Sequence, residues 1–161
     1  MLASTAQAPE ATHQPDYFAK HQRKVREYIH MERIDTYDFS ERNLRLMLSL
    51  LQVKHKEIVI AQAKLETGNF TSPIFRESNN LFGMKHPRVR QTTSLGSHRG
   101  HAYYHHWTDS VRDYVMWLQY YQQRGYCTRD YIAFITAIGY AEDPYYIDKI
   151  FIIKKENTLW T

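Results

Sequence analysis

The sequence predicts a mainly helical α+β domain with one small β insertion near its middle. Apolar residues recur at spacings of three and four along most of the chain, which is the period of an amphipathic helix. Between Asn79 and Trp107 that period disappears, and Gly, Thr, Ser and His dominate. The 161 residues are the length of one ordinary domain, and no Gly/Pro/Ser-rich linker or internal repeat divides them.

Residues 1–15 are small and polar without apolar period and read as a loosely attached tail. Ala6-Gln7-Ala8 has the small-residue pattern of a signal-peptide cleavage site, so this tail is either the remnant of an export signal or a plain Ala-rich extension. From Asp16 a single domain runs to the end, beginning with a helical pattern of Tyr17, Phe18, His21, Val25, Tyr28 and Ile29.

Asp38 and Glu41 have the spacing of a capping box and open a second, strongly apolar helix through Leu44, Met47, Leu48 and Leu51. A third helix runs from about Glu57 to Glu66. Its run Ile58-Val59-Ile60-Ala61 is apolar on more than one face, which suits a central position. Gly68 fits the left-handed position after its end. Ser72-Pro73 opens a short segment.

Residues 89–93 and 102–107 then read as strands around a turn at Gly96, giving a β lobe over about 81–107. Thr108-Asp109-Ser110 caps a helix carrying Val111, Tyr114, Val115 and Leu118. A further helix spans about 128–138, and Asp143-Pro144 starts the last one. A helical lobe beside a β lobe leaves a cleft suited to an extended ligand.

Composition excludes several classes. The net charge of +4 is spread among interspersed acids and bases, with no polybasic block to grip nucleic acid. No apolar run is long enough to span a membrane. The single cysteine, Cys127, rules out an intramolecular disulfide and reads as a small buried hydrophobe. His98, His101, His105 and His106 lack a nearby carboxylate or cysteine, so they do not make a zinc set and no metal or other cofactor is expected. The 13 tyrosines suit sugar-stacking surfaces and ordinary cores alike.

Glu66 is the chemical candidate. It closes an apolar helix, where burial disfavours the ionised carboxyl and the negative end of the helix dipole acts in the same direction. A carboxyl still protonated near neutrality can protonate a leaving glycosidic oxygen. An ordinary solvated helix-end glutamate would occupy the same place.

The run Ala61-Gln62-Ala63-Lys64-Leu65-Glu66-Thr67-Gly68 resembles the Ala-Gln-Ala-x-Leu-Glu-(Ser/Thr)-Gly signature of the peptidoglycan N-acetylglucosaminidases, a family that includes flagellar muramidase-like and autolysin domains. Further matches follow in order. Asn79-Asn80-Leu81-Phe82-Gly83-Met84-Lys85 is similar to the family's Asn-Asn-Leu-Phe-Gly-Ile-Lys segment. Tyr104 to Tyr114 is similar to its aromatic region, and Tyr140-Ala141-Glu142-Asp143-Pro144-Tyr145-Tyr146 to its Tyr-Ala-Thr-Asp-Pro-x-Tyr motif.

The resemblance implies a lysozyme-like fold with a β hairpin flanking a substrate cleft. It implies hydrolysis of the β-1,4 bond after N-acetylglucosamine, with Glu66 as general acid. Tyr146 would lie near the scissile sugar, hydrogen-bonding its N-acetyl group or stabilising developing positive charge, and core packing is the alternative for Tyr146 and Tyr140. Asn79, Asn80, Phe82, Tyr104, Trp107 and Tyr140 would line the cleft. The implied partner is peptidoglycan, met by a monomer in the periplasm or outside the cell.

One departure matters. Several family members carry a second catalytic Glu in the β lobe, yet no Asp or Glu occurs from Leu81 to Trp107. Either the substrate's own N-acetyl oxygen assists, or Glu77, Asp109 or Asp113 reaches the site, or activity is lost. Substrate assistance, with Tyr146 orienting the acetamido group, is the favoured reading. A lytic transglycosylase and a non-catalytic wall-binding module are the competing functions.

Overall fold

The computed structural model describes Arg23, Glu27, Met31 and residues 33–158. The tail over 1–15 and most of the helix expected from Asp16 to Ile29 lie outside them. Among the described residues the chain forms six α-helices and one two-stranded antiparallel sheet, the mainly helical α+β class that the periodicity predicts.

After a 3-10 turn at Ile34–Thr36, helix α1 covers Glu41–Leu50. Its cap is Ser40, whose Oγ accepts the Asn43 N–H at 3.1 Å. The box expected between Asp38 and Glu41 does not form, because the Glu41 carboxylate turns to Arg45 and Lys64 instead.

Helix α2, Lys56–Glu66, is the centre of the molecule. Val59 to Ala63 are all buried, Gln62 among them. It packs along the last helix, α6 (Tyr146–Thr158), and against α1. Thr67 closes α2: its hydroxyl donates to the Ala63 carbonyl at 2.6 Å and accepts the Phe70 N–H at 2.9 Å. Ser72 then caps the short helix α3, Pro73–Ser78, with Pro73 in its first turn.

The β lobe is smaller than expected and differently placed. Strand β1 is Gly96–His98 and β2 is His101–Tyr103, with His98 opposite His101. The turn is Arg99-Gly100, both at positive φ (50° and 80°), which is the type I′ geometry that matches strand twist. Gly96 therefore lies in a strand. Residues 89–93 form no strand, because Arg90 reaches inward to Asp113 and Val89 faces solvent.

Helix α4, Trp107–Gln122, starts earlier than Thr108-Asp109-Ser110 suggests. His106 is its cap, and the Asp109 carboxylate accepts the His106 N–H at 3.2 Å. Helix α5, Tyr131–Ala137, is shorter than expected, because Asp130 accepts the Ala133 N–H at 3.0 Å and so sets its start. Cys127, expected in the core, is exposed beyond the end of α4. No described helix is long and apolar enough to cross a membrane.

Candidate active site

Glu66 is the last residue of α2 and Tyr146 the first of α6, so the packing of those two helices brings them together. The Tyr146 hydroxyl donates to Glu66 Oε1 at 2.7 Å. Burial pushes the Glu66 carboxyl above the ordinary carboxylate range. The Tyr146 hydrogen bond and the nearby charge of His101 oppose that rise without cancelling it. Burial and the neighbouring Glu66 in turn hold the Tyr146 phenol far above its usual value, so it stays a donor.

The other carboxyl oxygen faces Gly83. A Cβ built at Gly83 would lie 2.7 Å from Glu66 Oε2, and Gly83 also has a φ of +62° that side chains rarely adopt. The glycine leaves the space into which Oε2 projects. Gly83→Ala is therefore expected to displace the carboxyl and cut activity by roughly tenfold or more, since small misplacements of a reacting group are costly. The check is initial-rate kinetics alongside a circular-dichroism melt. Full activity in the variant would show that Oε2 does not need that space.

Asn80 holds the loop that carries Gly83. Its Oδ1 accepts the N–H groups of Phe82 and Met84, each at 3.2 Å, and its Nδ2 donates to the carbonyls of Met84 at 2.9 Å and Ala102 at 2.8 Å. Every site on the amide is used, so Asn80 stitches the loop to β2. Ser110 Oγ accepts the Leu81 N–H at 3.0 Å, and the Tyr140 hydroxyl donates to the Phe82 carbonyl at 2.7 Å. His101 Nδ1 lies 3.3 Å from the Gly83 carbonyl, which can only accept. A hydrogen bond there places the proton on Nδ1.

Beside Glu66 opens a cavity of about 540 Å³. One wall is the loop from Phe82 to Lys85 with Pro87 and Arg90. The other is Trp117, Tyr121 and residues Ile138 to Glu142.

The residues expected to bind substrate fall into separate groups. Phe82 and Tyr140 stand in the cavity wall, Phe82 stacked on Tyr114 at 4.5 Å. Asn79 and Asn80 are scaffold: Asn79 Nδ2 donates to the carbonyls of Tyr104 and His105 at 3.2 and 3.1 Å. Tyr104 and Trp107 are turned away from the cleft. The Tyr104 hydroxyl is bonded to Asp113 at 2.8 Å, and Trp107 packs on Phe39 with its Nε1 donating to the Tyr37 carbonyl at 2.8 Å. The phenol of Tyr146 is committed to Glu66, so its hydrogen is not free to orient a sugar acetamido group.

None of the acids named as stand-ins for a β-lobe carboxylate joins Glu66 in the cavity. Asp113 is fully buried and gripped by Arg90 at 2.6 and 3.1 Å. Asp109 caps α4 and pairs with Arg112, and Glu77 pairs with His98 and Arg99 on the hairpin. His98 pairs with Glu77, His101 meets the Gly83 carbonyl and His106 caps α4, and no group of three or more metal-ligating side chains occurs among the described residues. Two cavity residues, Gly83 and Glu142, were not singled out by sequence reasoning. The glycine's value depends on an approach between residues 17 positions apart in the chain, Glu66 and Gly83. Glu142 stands where the family pattern has Thr, and that departure was its available signal.

The sequence model of the Glucosaminidase family, described as mannosyl-glycoprotein endo-beta-N-acetylglucosaminidase, matches residues 44–159. No curated protein and no solved structure gives a significant match.

Proposed function

The chain belongs to the glucosaminidase family, and from that premise we propose that it hydrolyses the β-1,4 bond after N-acetylglucosamine in bacterial peptidoglycan. The family itself implies a glycoside hydrolase acting on a glycan. The bond, the polymer and the mechanism are the further reading.

One observation carries it: a half-buried Glu66 whose carboxyl is pushed above the ordinary carboxylate range by burial, held by Tyr146 at Oε1 and given free space at Oε2, beside an open cavity. With Oε1 accepting from the phenol, the acidic proton belongs on Oε2, the oxygen on the Gly83 side. There it protonates the leaving oxygen as the glycosidic bond breaks. The 2-acetamido oxygen of the same sugar attacks C1 and forms an oxazolinium ion. Water then attacks C1 from the vacated side and gives a proton to the Glu66 carboxylate, which restores the acid. This route needs no carboxylate nucleophile, which fits a hairpin with no acid between Leu81 and Trp107. The proposal includes a monomer acting in the periplasm or outside the cell, where that polymer lies.

Mass spectrometry of soluble products from purified peptidoglycan tests the reading. Fragments ending in reducing N-acetylglucosamine, absent with Glu66→Gln, support it. Anhydro-muramic ends would move the protein to the lytic transglycosylases. Wall binding without products would make it a binding module.

Tyr146→Phe has a signed prediction. The phenol stabilises the ionised carboxylate, so its loss raises the Glu66 pKa further. The alkaline limb of the pH–rate profile, where the acid loses its proton, is expected to move to higher pH. The maximal rate should fall roughly tenfold, about the worth of one orienting hydrogen bond. An unmoved limb would remove the phenol from the acid's environment.

A further inference from the structure

We propose that Glu142 is a second catalytic carboxylate of this protein, accepting the hydrogen bond of the substrate's 2-acetamido N–H and balancing the positive charge of the oxazolinium ion. The proposal rests on the substrate-assisted reading above and supplies the anion which that reading lacks.

The intermediate sets the requirement. When the acetamido oxygen bonds to C1 and the C1–O bond to the leaving sugar breaks, positive charge spreads over the new ring and its N–H. A carboxylate accepting from that N–H orients the oxygen for attack and stabilises the charge as it develops. The phenol of Tyr146 is no substitute, since its hydrogen is donated to Glu66 and its oxygen, held protonated by burial, has no charge to balance the ion.

The cavity beside Glu66 narrows the choice. Lys85, Arg90 and Trp117 only donate. Tyr121 and Tyr140 bring phenols rather than carboxylates, and the Tyr140 hydroxyl already donates to the Phe82 carbonyl. Glu142 is the one carboxylate in the lining apart from Glu66 itself.

Its surroundings leave it available. Asp143, next in the chain, is occupied: Oδ1 accepts the Tyr145 N–H at 2.9 Å and Oδ2 takes the Lys149 ammonium. The adjacent cation is thus neutralised by Asp143. Glu142 itself is exposed and has no hydrogen-bond or ion-pair partner among the described residues, unlike Asp109, Asp113 and Glu77. The backbone on either side is fixed by Tyr140 and by the start of α6, so the carboxylate extends from a held segment. In the first step Glu66 gives its proton to the leaving oxygen, the acetamido oxygen bonds to C1, and Glu142 accepts from the acetamido N–H. In the second, water returns a proton to Glu66, the C1–O bond of the oxazolinium breaks, and the acetamide is restored.

The test uses wild type, Glu142→Gln and Glu66→Gln with soluble peptidoglycan glycan strands, together with binding of a thiazoline analogue of N-acetylglucosamine that mimics the bicyclic intermediate. For Glu142→Gln the expected result is a fall in kcat of about a hundredfold with KM changed by less than about threefold. Thiazoline affinity should fall by a similar factor, and the melting temperature should stay at the wild-type value because the side chain is exposed. An active wild type with kcat and thiazoline binding unchanged in Glu142→Gln overturns this role alone, as does an effect confined to KM. A folded wild type that cuts no strand and binds no thiazoline overturns the hydrolase reading and this role with it.

Discussion

Glu66→Gln is expected to lower the rate of glycan cleavage by about 10²–10⁴-fold, the usual worth of a positioned general acid, while leaving the fold intact. The amide matches the carboxyl in shape, and its oxygen can still accept the Tyr146 hydroxyl that now meets Oε1 at 2.7 Å. It has no proton to give to a leaving oxygen. The same substitution should make the protein more stable at neutral pH.

The sign follows from linkage. The folded-state pKa of Glu66 is raised above the ordinary carboxylate range, chiefly by burial. The folded protein therefore holds this proton more tightly than the unfolded chain does. Stability from this group is full below the unfolded value and is lost as pH rises through the folded one. Above that window wild type bears the cost of a half-buried carboxylate and the glutamine variant does not. Melting temperatures of both proteins across pH 3–8 check this: the curves should converge at the acid end and separate toward neutrality, with the variant higher. A variant less stable than wild type at neutral pH would mean that the ionised carboxylate is well solvated where it sits.

The largest effect on stability is expected from Asp113→Ala, at about 3–5 kcal/mol, the range for removing one partner of a buried ion pair. The Asp113 side chain is 0% exposed and that of Arg90 only 8%. The carboxylate takes both guanidinium nitrogens and the Tyr104 hydroxyl. It thereby ties α4 to the 84–94 segment and to the end of β2. Its loss leaves a cation and a phenol buried without their acceptor. Because Arg90 also lines the cavity, activity should fall with stability. Urea denaturation gives the measurement, with Tyr104→Phe as the reference that removes one hydroxyl at a cost of about 1 kcal/mol. Equal losses for the two variants would show that the guanidinium does not depend on Asp113.

Helices were easier to read from the sequence than strands, for a physical reason. The burial that makes α2 central is written in adjacent residues, Val59 to Ala63, so the chain declares it locally. The β-branched Val89, Thr92 and Thr93 suit a strand only if another backbone pairs with them, and here Arg90 is drawn to a residue in α4 instead. The hairpin turn at Arg99-Gly100 carries a weaker signal than Asn-Gly, which let Gly96 stand in for it.

Glu66 was legible as a candidate because an apolar helix ending in Glu is itself a local pattern. Its supports were not. Gly83 and the donor role of Tyr146 arise from contacts between distant segments. Asn80, Tyr104 and Trp107 stand in the resembling motifs for reasons of architecture, which periodicity cannot separate from contact with a ligand.

The hydrogen bond that holds Glu66 joins residues 80 positions apart. During synthesis the glutamate leaves the ribosome well before the tyrosine is made, and no shorter piece of the chain contains both. The conditioned carboxyl exists only once α6 has docked along α2. A nascent chain, or one clipped before Tyr146, carries the glutamate without the phenol that holds it, so the proposed acid is set only when α6 is in place.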